Sequence, residues 1–307
     1  MNIIKSEKAR PFLAFLCALG WSLAYPLIKL GYEKMEIMPD DLGGKVLFAG
    51  VRFFVAGLLV MVFCLVNKND MRIKDGESFK ILLLFALVNT SLHYLFSYIG
   101  LSFMTSSRST ILDSMGGFML IILSGLIYTE DKFSTRKLFG CLFGICGIIL
   151  INVGPLDKFF GGISFMGDGM ILLNACCAAL GGILTRLVSK KMDINLATAY
   201  GMTIGGGLLI LVALILGPKR PFKISLLGLL IMTGLILISA LCFGIYNALI
   251  SCHPISKIAI FNALIPVLGV IFSSLILGER LKWQYFLAGL MVATGVCIIN
   301  LKVKGKD

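Results

Sequence analysis

Apolar runs follow one another along the chain at about 11–30, 46–66, 80–101, 105–128, 137–153, 166–188, 195–216, 225–249, 257–277 and 283–301. Each is close to the ~20 residues that carry a helix across a ~30 Å hydrocarbon core. Polar connections between them are short, and no stretch has the length of an inserted water-soluble domain. Lipid offers no partner to backbone amides and carbonyls, so each run is predicted to be a helix. The expected fold is an all-α polytopic membrane protein with ten transmembrane helices. The first run follows Lys5, Lys8 and Arg10, as a signal peptide would. Its length, with Trp21, Tyr25 and Pro26 inside it and no A-x-A site after it, predicts an uncleaved helix.

Composition agrees with this pattern: 58% of residues are hydrophobic, 14% are charged, and the mean hydropathy is +0.96. Soluble domains carry about 25% charged residues. The net charge of +12 is mostly loop charge. With the N-terminus inside, the inner segments hold 17 of the 28 Lys and Arg: Lys5, Lys8, Arg10, Lys68, Arg72, Lys74, Lys80, Lys132, Arg136, Lys137, Arg186, Lys190, Lys191, Lys257, Lys302, Lys304 and Lys306. The run "GPKRPFK" (217–223) is the main dissent on the outer side. The positive-inside rule thus places both termini in the cytoplasm and the protein in the cell membrane. Basic loops facing anionic lipid account for the charge, and no nucleic-acid-binding motif is present. The nine cysteines form no CxxC pair. They read as small packing residues, and no metal or cofactor is expected.

Two helix ends carry a repeat. "SGLIYTEDKF" (124–133) and "SSLILGERLK" (273–282) align Ser124 with Ser273, Leu126 with Leu275, Ile127 with Ile276 and Glu130 with Glu279. The same offset of 149 residues pairs Ser107 with Ser256, Arg108 with Lys257, Asp113 with Asn262 and Gly140 with Gly289. Five runs fall in each half, 1–153 and 154–307. Five is odd, so the halves are expected to be inverted in the membrane, as in carriers that open one central site to each side in turn. Glu130 and Glu279 then lie on opposite faces, which suits helix caps and loop anchors and excludes a joint catalytic role.

The segment "SKIAIFNALIPVLGVIFSSLILGERLKWQYFLAGLMVATGVCIIN" (256–300) resembles the end of an EamA-type member of the drug/metabolite transporter superfamily. Pro266, Gly278, Glu279, Arg280, Gly289 and Gly295 carry the likeness. "SSRSTILDSMGGFMLIILSGLIYTEDKFSTRKLFGCLFGICGIILIN" (106–152) is a degraded copy, with Gly117 where the second half has Pro266 and Thr129 where it has Gly278. "GVRFFVAGLLVM" (50–61) resembles the Arg-containing second helix of that family. The resemblance implies ten helices, both termini inside, and export or exchange of small polar metabolites such as amino acids.

Polar residues at helical spacing mark candidate lumen positions, because intramembrane polar groups face protein or water. Trp21 and Tyr25, with Lys29, lie on one face of the first helix. In the third, Asn89, His93 and Ser97 form one stripe and Thr90, Tyr94 and Tyr98 its neighbour. Asp113 sits about 12 Å into the fourth helix. A carboxylate there costs about 2.5–3.5 kcal/mol on insertion scales, so a partner on another helix is expected, Arg52 or His93, in preference to Arg108 on the same helix. Asn174, Tyr246, Asn247 and Asn262 complete the candidate solute site. Asp113, His93 and Arg108 are candidates for coupling to a proton. Gly116 and Gly117 suit close helix packing, as do Gly140-x-x-x-Gly144 and Gly201-x-x-x-Gly205. Pro266 frees the carbonyl of Asn262 and marks a kink or hinge.

Two functions fit these residues. One is a gradient-driven secondary transporter, since no phosphate-cradling motif is present. The other is a membrane-embedded enzyme using His93 and Asp113, or a membrane subunit that does not transport. With two histidines, no metal-spaced cluster and no nucleophile elbow, the transporter is the expected function and catalysis is not.

Overall fold

The computed structural model describes residues 2–103, 106–132, 134–151, 164–278 and 283–300. They form α1 (Arg10–Lys34), α2 (Leu42–Val66), α3 (Gly76–Ser102), α4 (Ser106–Ile127), α5 (Thr135–Ile151), α6 (Phe165–Val188), α7 (Ile194–Leu216), α8 (Leu226–Cys252), α9 (Ser256–Leu277) and α10 (Trp283–Asn300). Among the described residues there is no strand. Seven of these helices, α1, α2, α3, α6, α7, α8 and α9, are long and apolar enough to cross a membrane. Shorter apolar stretches lie in α4 (Leu112–Ile127) and α10 (Leu287–Asn300). The protein is therefore an all-α, multi-pass membrane protein. The proposed division at 153/154, and Glu279 and Arg280, lie outside the described residues.

Helix starts are set by capping side chains, and several precede the apolar runs. Asp41 accepts from the Gly44 amide at 2.7 Å, Asp75 from Ser78 at 2.7 Å, and Ser225 from Gly228 at 3.0 Å. Asp193 accepts from Asn195 and Leu196 at the head of α7. An oxygen at the N-cap satisfies amides that the first turn leaves unpaired. That is why α2 begins at Leu42, four residues ahead of the run that starts at 46.

Small residues decide which helices touch. α2 packs along α7 and α5 along α10. A methyl on Gly206 would stand within 2.8 Å of the Phe54 backbone, and one on Gly57 or Gly50 would strike the α7 backbone at Thr203 or Ile210. Gly140 and Gly295 meet in the same way between α5 and α10. With no hydrophobic driving force between helices in lipid, such close approach is the source of packing energy. The remaining principal contacts come in sets that the 149-residue offset exchanges: α1 with α8 and α6 with α3, then α1 with α9 and α6 with α4.

One end of the bundle is tied by charges. Asp131 accepts from the Ser256 amide at 2.8 Å and its hydroxyl at 2.5 Å, and it pairs with Lys137 at 2.6 Å. Arg186 donates to the Ile250 carbonyl at 2.6 Å, the His253 carbonyl at 3.0 Å and Glu130 at 3.0 Å. A bond from its own backbone amide, with the Arg186 bond beside it, holds the Glu130 carboxyl below its usual range. His253 Nε2 donates to the Ile4 carbonyl at 2.7 Å. At the same end Lys191 pairs with Glu77 and Asn69 bonds Asp193. At the other end Lys219 pairs with Asp40 and Lys223 with Glu36. The segments assigned from charge to one side thus meet at one end. Glu130 anchors Arg186, as a loop anchor should, but the acid that caps α9 is its neighbour Asp131.

Gly206→Leu should destabilise the protein by at least the roughly 1–3 kcal/mol typical of overpacking, because the Phe54 backbone cannot yield. Thermal denaturation in detergent should show it as a clear drop in midpoint. Gly234→Leu, at a position where an added methyl meets nothing within 4 Å, should show none.

Candidate functional site

The helix ladder is interrupted near the middle of the bundle. α3 contains a π-helical segment, Leu87–Leu92, and α9 a 3-10 segment, Ile260–Ala263, three residues before the buried Pro266. The second break follows from the proline, which cannot donate to the Asn262 carbonyl. The first is stabilised by Ser91, whose hydroxyl donates to the Gly205 carbonyl of α7 at 3.2 Å. Single-turn π segments collect at functional positions, and His93 is the residue that follows this one.

Polar side chains converge beside these breaks. Asn174, fully buried on α6, donates its amide N–H to Asp113 on α4. His93 lies against the backbone carbonyl of Asn174 and within the field of Asp113. On the other side, Asn262 of α9 donates to the Tyr246 hydroxyl of α8 at 3.0 Å. α4 and α9 cross between the two pairs. A methyl on Gly117 would stand 3.4 Å from the Ala259 carbonyl and the Asn262 Cβ. Gly116 faces α6, where a methyl would be 2.8 Å from the Ala175 carbonyl. Both glycines are thus at helix contacts, and Gly116 is at the tighter one.

Aromatic rings wall the cluster. Trp21 stands edge-on to Phe243 and Tyr246, at 5.5 and 4.9 Å between centroids. Tyr94 lies 4.0 Å from Phe53, 4.5 Å from His93 and 6.3 Å from Phe243. Several buried polar atoms in this region bond none of the described residues: Trp21 Nε1, His93 Nδ1, Asn174 Oδ1 and the Tyr98 hydroxyl. The Asn174 amide is oriented by Asp113, which can only accept when ionised, so its carbonyl oxygen points elsewhere.

Three expected positions belong elsewhere. Asn247 donates to Thr198 at 3.0 Å and accepts from Thr185 at 3.5 Å, inside a closed contact of α6, α7 and α8. Asn89 packs against Gly181 of α6. Arg52 is not the partner of Asp113: its Nε donates to Ser239 at 2.6 Å. The side chains of Tyr25 and Arg108 lie outside the described residues. Ser239, Phe243 and Phe53 were not singled out from sequence. Ser239 precedes Tyr246 by seven residues on one face of α8, a spacing that could have exposed it. An apolar recess of about 300 Å3 lined by Met119, Ile122, Leu123, Cys176, Ala179 and Leu180 lies between α4 and α6. Its walls suit lipid tails and offer a polar solute nothing.

The two polar pairs should be measurable in stability. Tyr246→Phe removes the acceptor of Asn262 and should cost about 1 kcal/mol, and Asn174→Leu strips a donor from Asp113 and should cost about 1–3 kcal/mol. Chemical or thermal unfolding of the two variants tests the order.

Comparison with known proteins bears on the whole chain. Residues 10–153 and 165–301 each match the EamA-like transporter family. The uncharacterized transporter YvbV of Bacillus subtilis is 27% identical over 100% of this chain and 96% of its own length. An S-adenosylmethionine/S-adenosylhomocysteine transporter of Chlamydia muridarum is 22% identical over 95% of this chain and 90% of its own. A solved crystal structure superposes with a TM-score of 0.77 at 13% identity, covering 96% of this chain and 98% of that one.

Proposed function

The chain belongs to the EamA-like transporter family, and from that premise we propose that it is a secondary transporter of small polar metabolites working by alternating access. In this reading ten helices cross the cell membrane as two inverted repeats, 1–153 and 154–307, with both termini in the cytoplasm. The exchange of helix contacts by the 149-residue offset supports the two-fold relation between the repeats. The single observation that carries the reading is the convergence of Asp113–Asn174 and Asn262–Tyr246 on either side of the α4–α9 crossing. Positions 113 and 262 correspond under the offset, so the site is built twice from one plan.

The buried polar atoms of Trp21, His93 and Asn174 that bond none of the described residues favour a solute over a purely structural cluster. Buried donors and acceptors cost free energy until something satisfies them. A metabolite with amine, hydroxyl or ring nitrogen groups can do so. The transport of S-adenosylmethionine by a relative of that name supports a solute that carries an amino-acid group. Trp21, Tyr94 and Tyr246 would flank its apolar part. Asp113, with His93 in its field, is the group proposed to exchange a proton and couple flux to the gradient. The repeat partner of Asp113 is neutral Asn262, so only one half would carry the titrating group.

Two experiments test this. In a cysteine-free background, single cysteines at 130 and at 279 should be labelled from opposite sides of the membrane; labelling of both from one side would remove the inverted arrangement. Reconstituted Asp113→Asn should still exchange solute by counterflow and lose its response to an imposed pH gradient. A variant with full response to the gradient, and only a lower melting temperature, would reduce Asp113 to a structural role.

A further inference from the structure

Arg52 is a buried cation near the middle of a membrane helix. It is 3% exposed and stands ten residues into α2, about 15 Å from its start. At that depth it cannot snorkel to the interface, and a guanidinium does not deprotonate. The other buried arginine, Arg10, and the half-buried Arg186 each bond a carboxylate. Arg52 forms no ion pair among the described residues; its recorded bond is Nε to the neutral Ser239 hydroxyl. That hydroxyl in turn donates to the Leu235 carbonyl at 2.9 Å. A charge buried without a counter-charge is costly, and four of the five guanidinium N–H groups remain available beyond the Ser239 bond.

The surroundings are those of an anion subsite. The Tyr98 hydroxyl, on a side chain 4% exposed, lies beside both the guanidinium and the Tyr32 hydroxyl and completes a bond of normal geometry with neither. Phe53 lies under the guanidinium, 5.0 Å from its carbon. Phe53 in turn lies 4.0 Å from Tyr94, and Tyr94 4.5 Å from His93, between ring centroids, so a row of rings links the cation to the His93 side of the polar cluster. Aromatic walls exclude water and strengthen any charge-assisted bond made there.

Resting on the transporter reading, we propose that Arg52 and the Tyr98 hydroxyl bind the carboxylate of the transported solute. The guanidinium fork matches a carboxylate with two parallel bonds. One cation neutralises one negative charge, which favours a carboxylate over a phosphate dianion. The solute class is then a metabolite that carries one carboxylate, held between Arg52 and the Asp113–Asn174 end. Binding of this anion removes the penalty of the buried charge, so part of the affinity comes from relief of a cost already present in the protein.

The probes are matched pairs that differ only at this group: L-methionine with L-methioninamide, and S-adenosylmethionine with its decarboxylated form. Affinity is read by thermal shift and by equilibrium binding to purified full-length protein in lipid nanodiscs. The acids should bind at least about tenfold more tightly than their partners, as loss of a charge-assisted bond implies. Arg52→Gln should abolish that preference while leaving the unliganded melting temperature unchanged or higher, and Arg52→Lys should retain a weaker preference. Should Arg52→Gln fail to fold, Tyr98→Phe decides. It should leave the unliganded protein as stable as before and weaken the acids about three- to tenfold without affecting the amides. Equal binding of acid and partner, binding of neither, a preference that survives Arg52→Gln, or one that Tyr98→Phe leaves undiminished overturns the proposal. Vesicle uptake separates it from the transporter reading. Transport indifferent to the carboxylate leaves the transporter and removes the subsite. Arg52-dependent acid binding without movement across the vesicle leaves the subsite and removes the transporter.

Discussion

Every feature of the molecule follows from the need of a backbone in hydrocarbon to satisfy its own hydrogen bonds. That need forces helices and leaves their faces to be joined by close packing, since lipid supplies no hydrophobic drive. It also makes any lapse in the ladder expensive. The π segment at Leu87–Leu92 and the 3-10 segment at Ile260–Ala263 are such lapses, and both lie beside the polar cluster. Protein groups compensate for them: Ser91 reaches across to α7 at the first, and Asn262 and Tyr246 bond each other at the second. At these two breaks polar atoms become available beside the candidate site.

Packing divides the bundle into two kinds of contact. The α2–α7 and α5–α10 contacts bring backbone against backbone at Gly57, Gly206, Gly140 and Gly295. Such contacts have one register and resist sliding. The contact that brings Asp113 to Asn174 is of the same kind, with Gly116 of α4 against the Ala175 backbone of α6, whereas α1 meets α8 through side chains, with Trp21 edge-on to Phe243 and Tyr246. Side-chain contacts can exchange partners at less cost than interlocked backbones. The backbone-tight pairs therefore make a frame, and the α1–α8 and α4–α9 contacts beside the cluster are those that the frame leaves least constrained.

Much of this was legible in the sequence because the signals were large. Apolar runs of about twenty residues place the helices. The basic segments at 68–74, 131–137 and 186–193 meet at one end of the bundle. Asp113 was legible as a costly group in need of a partner, and Pro266 as a break. Of the two partners expected for Asp113, His93 lies in its field and Arg52 bonds Ser239 instead, while Asn174, which bonds it, was missed because it carries no charge. A neutral amide leaves little mark in composition, yet a buried amide is a cheaper partner for a carboxylate than a second ion. The π segment was invisible, since its cause is a hydroxyl on α3 meeting a carbonyl on α7 far along the chain. Asn247 looked like its neighbour Tyr246, but one residue turns a helix by about 100° and carries it into the Thr185–Thr198 contact.

The bond from His253 to the Ile4 carbonyl makes the first residues part of the folded body. Ile4 sits against the corner between α8 and α9, the corner that Arg186 and Asp131 also hold. Anything fused ahead of that point must leave from a closed contact. An affinity tag or fluorescent protein at the N-terminus would therefore load the corner where α8 meets α9. Reporters and immobilisation handles belong in the polar loop after α2, around the exposed Asn67 and Lys68.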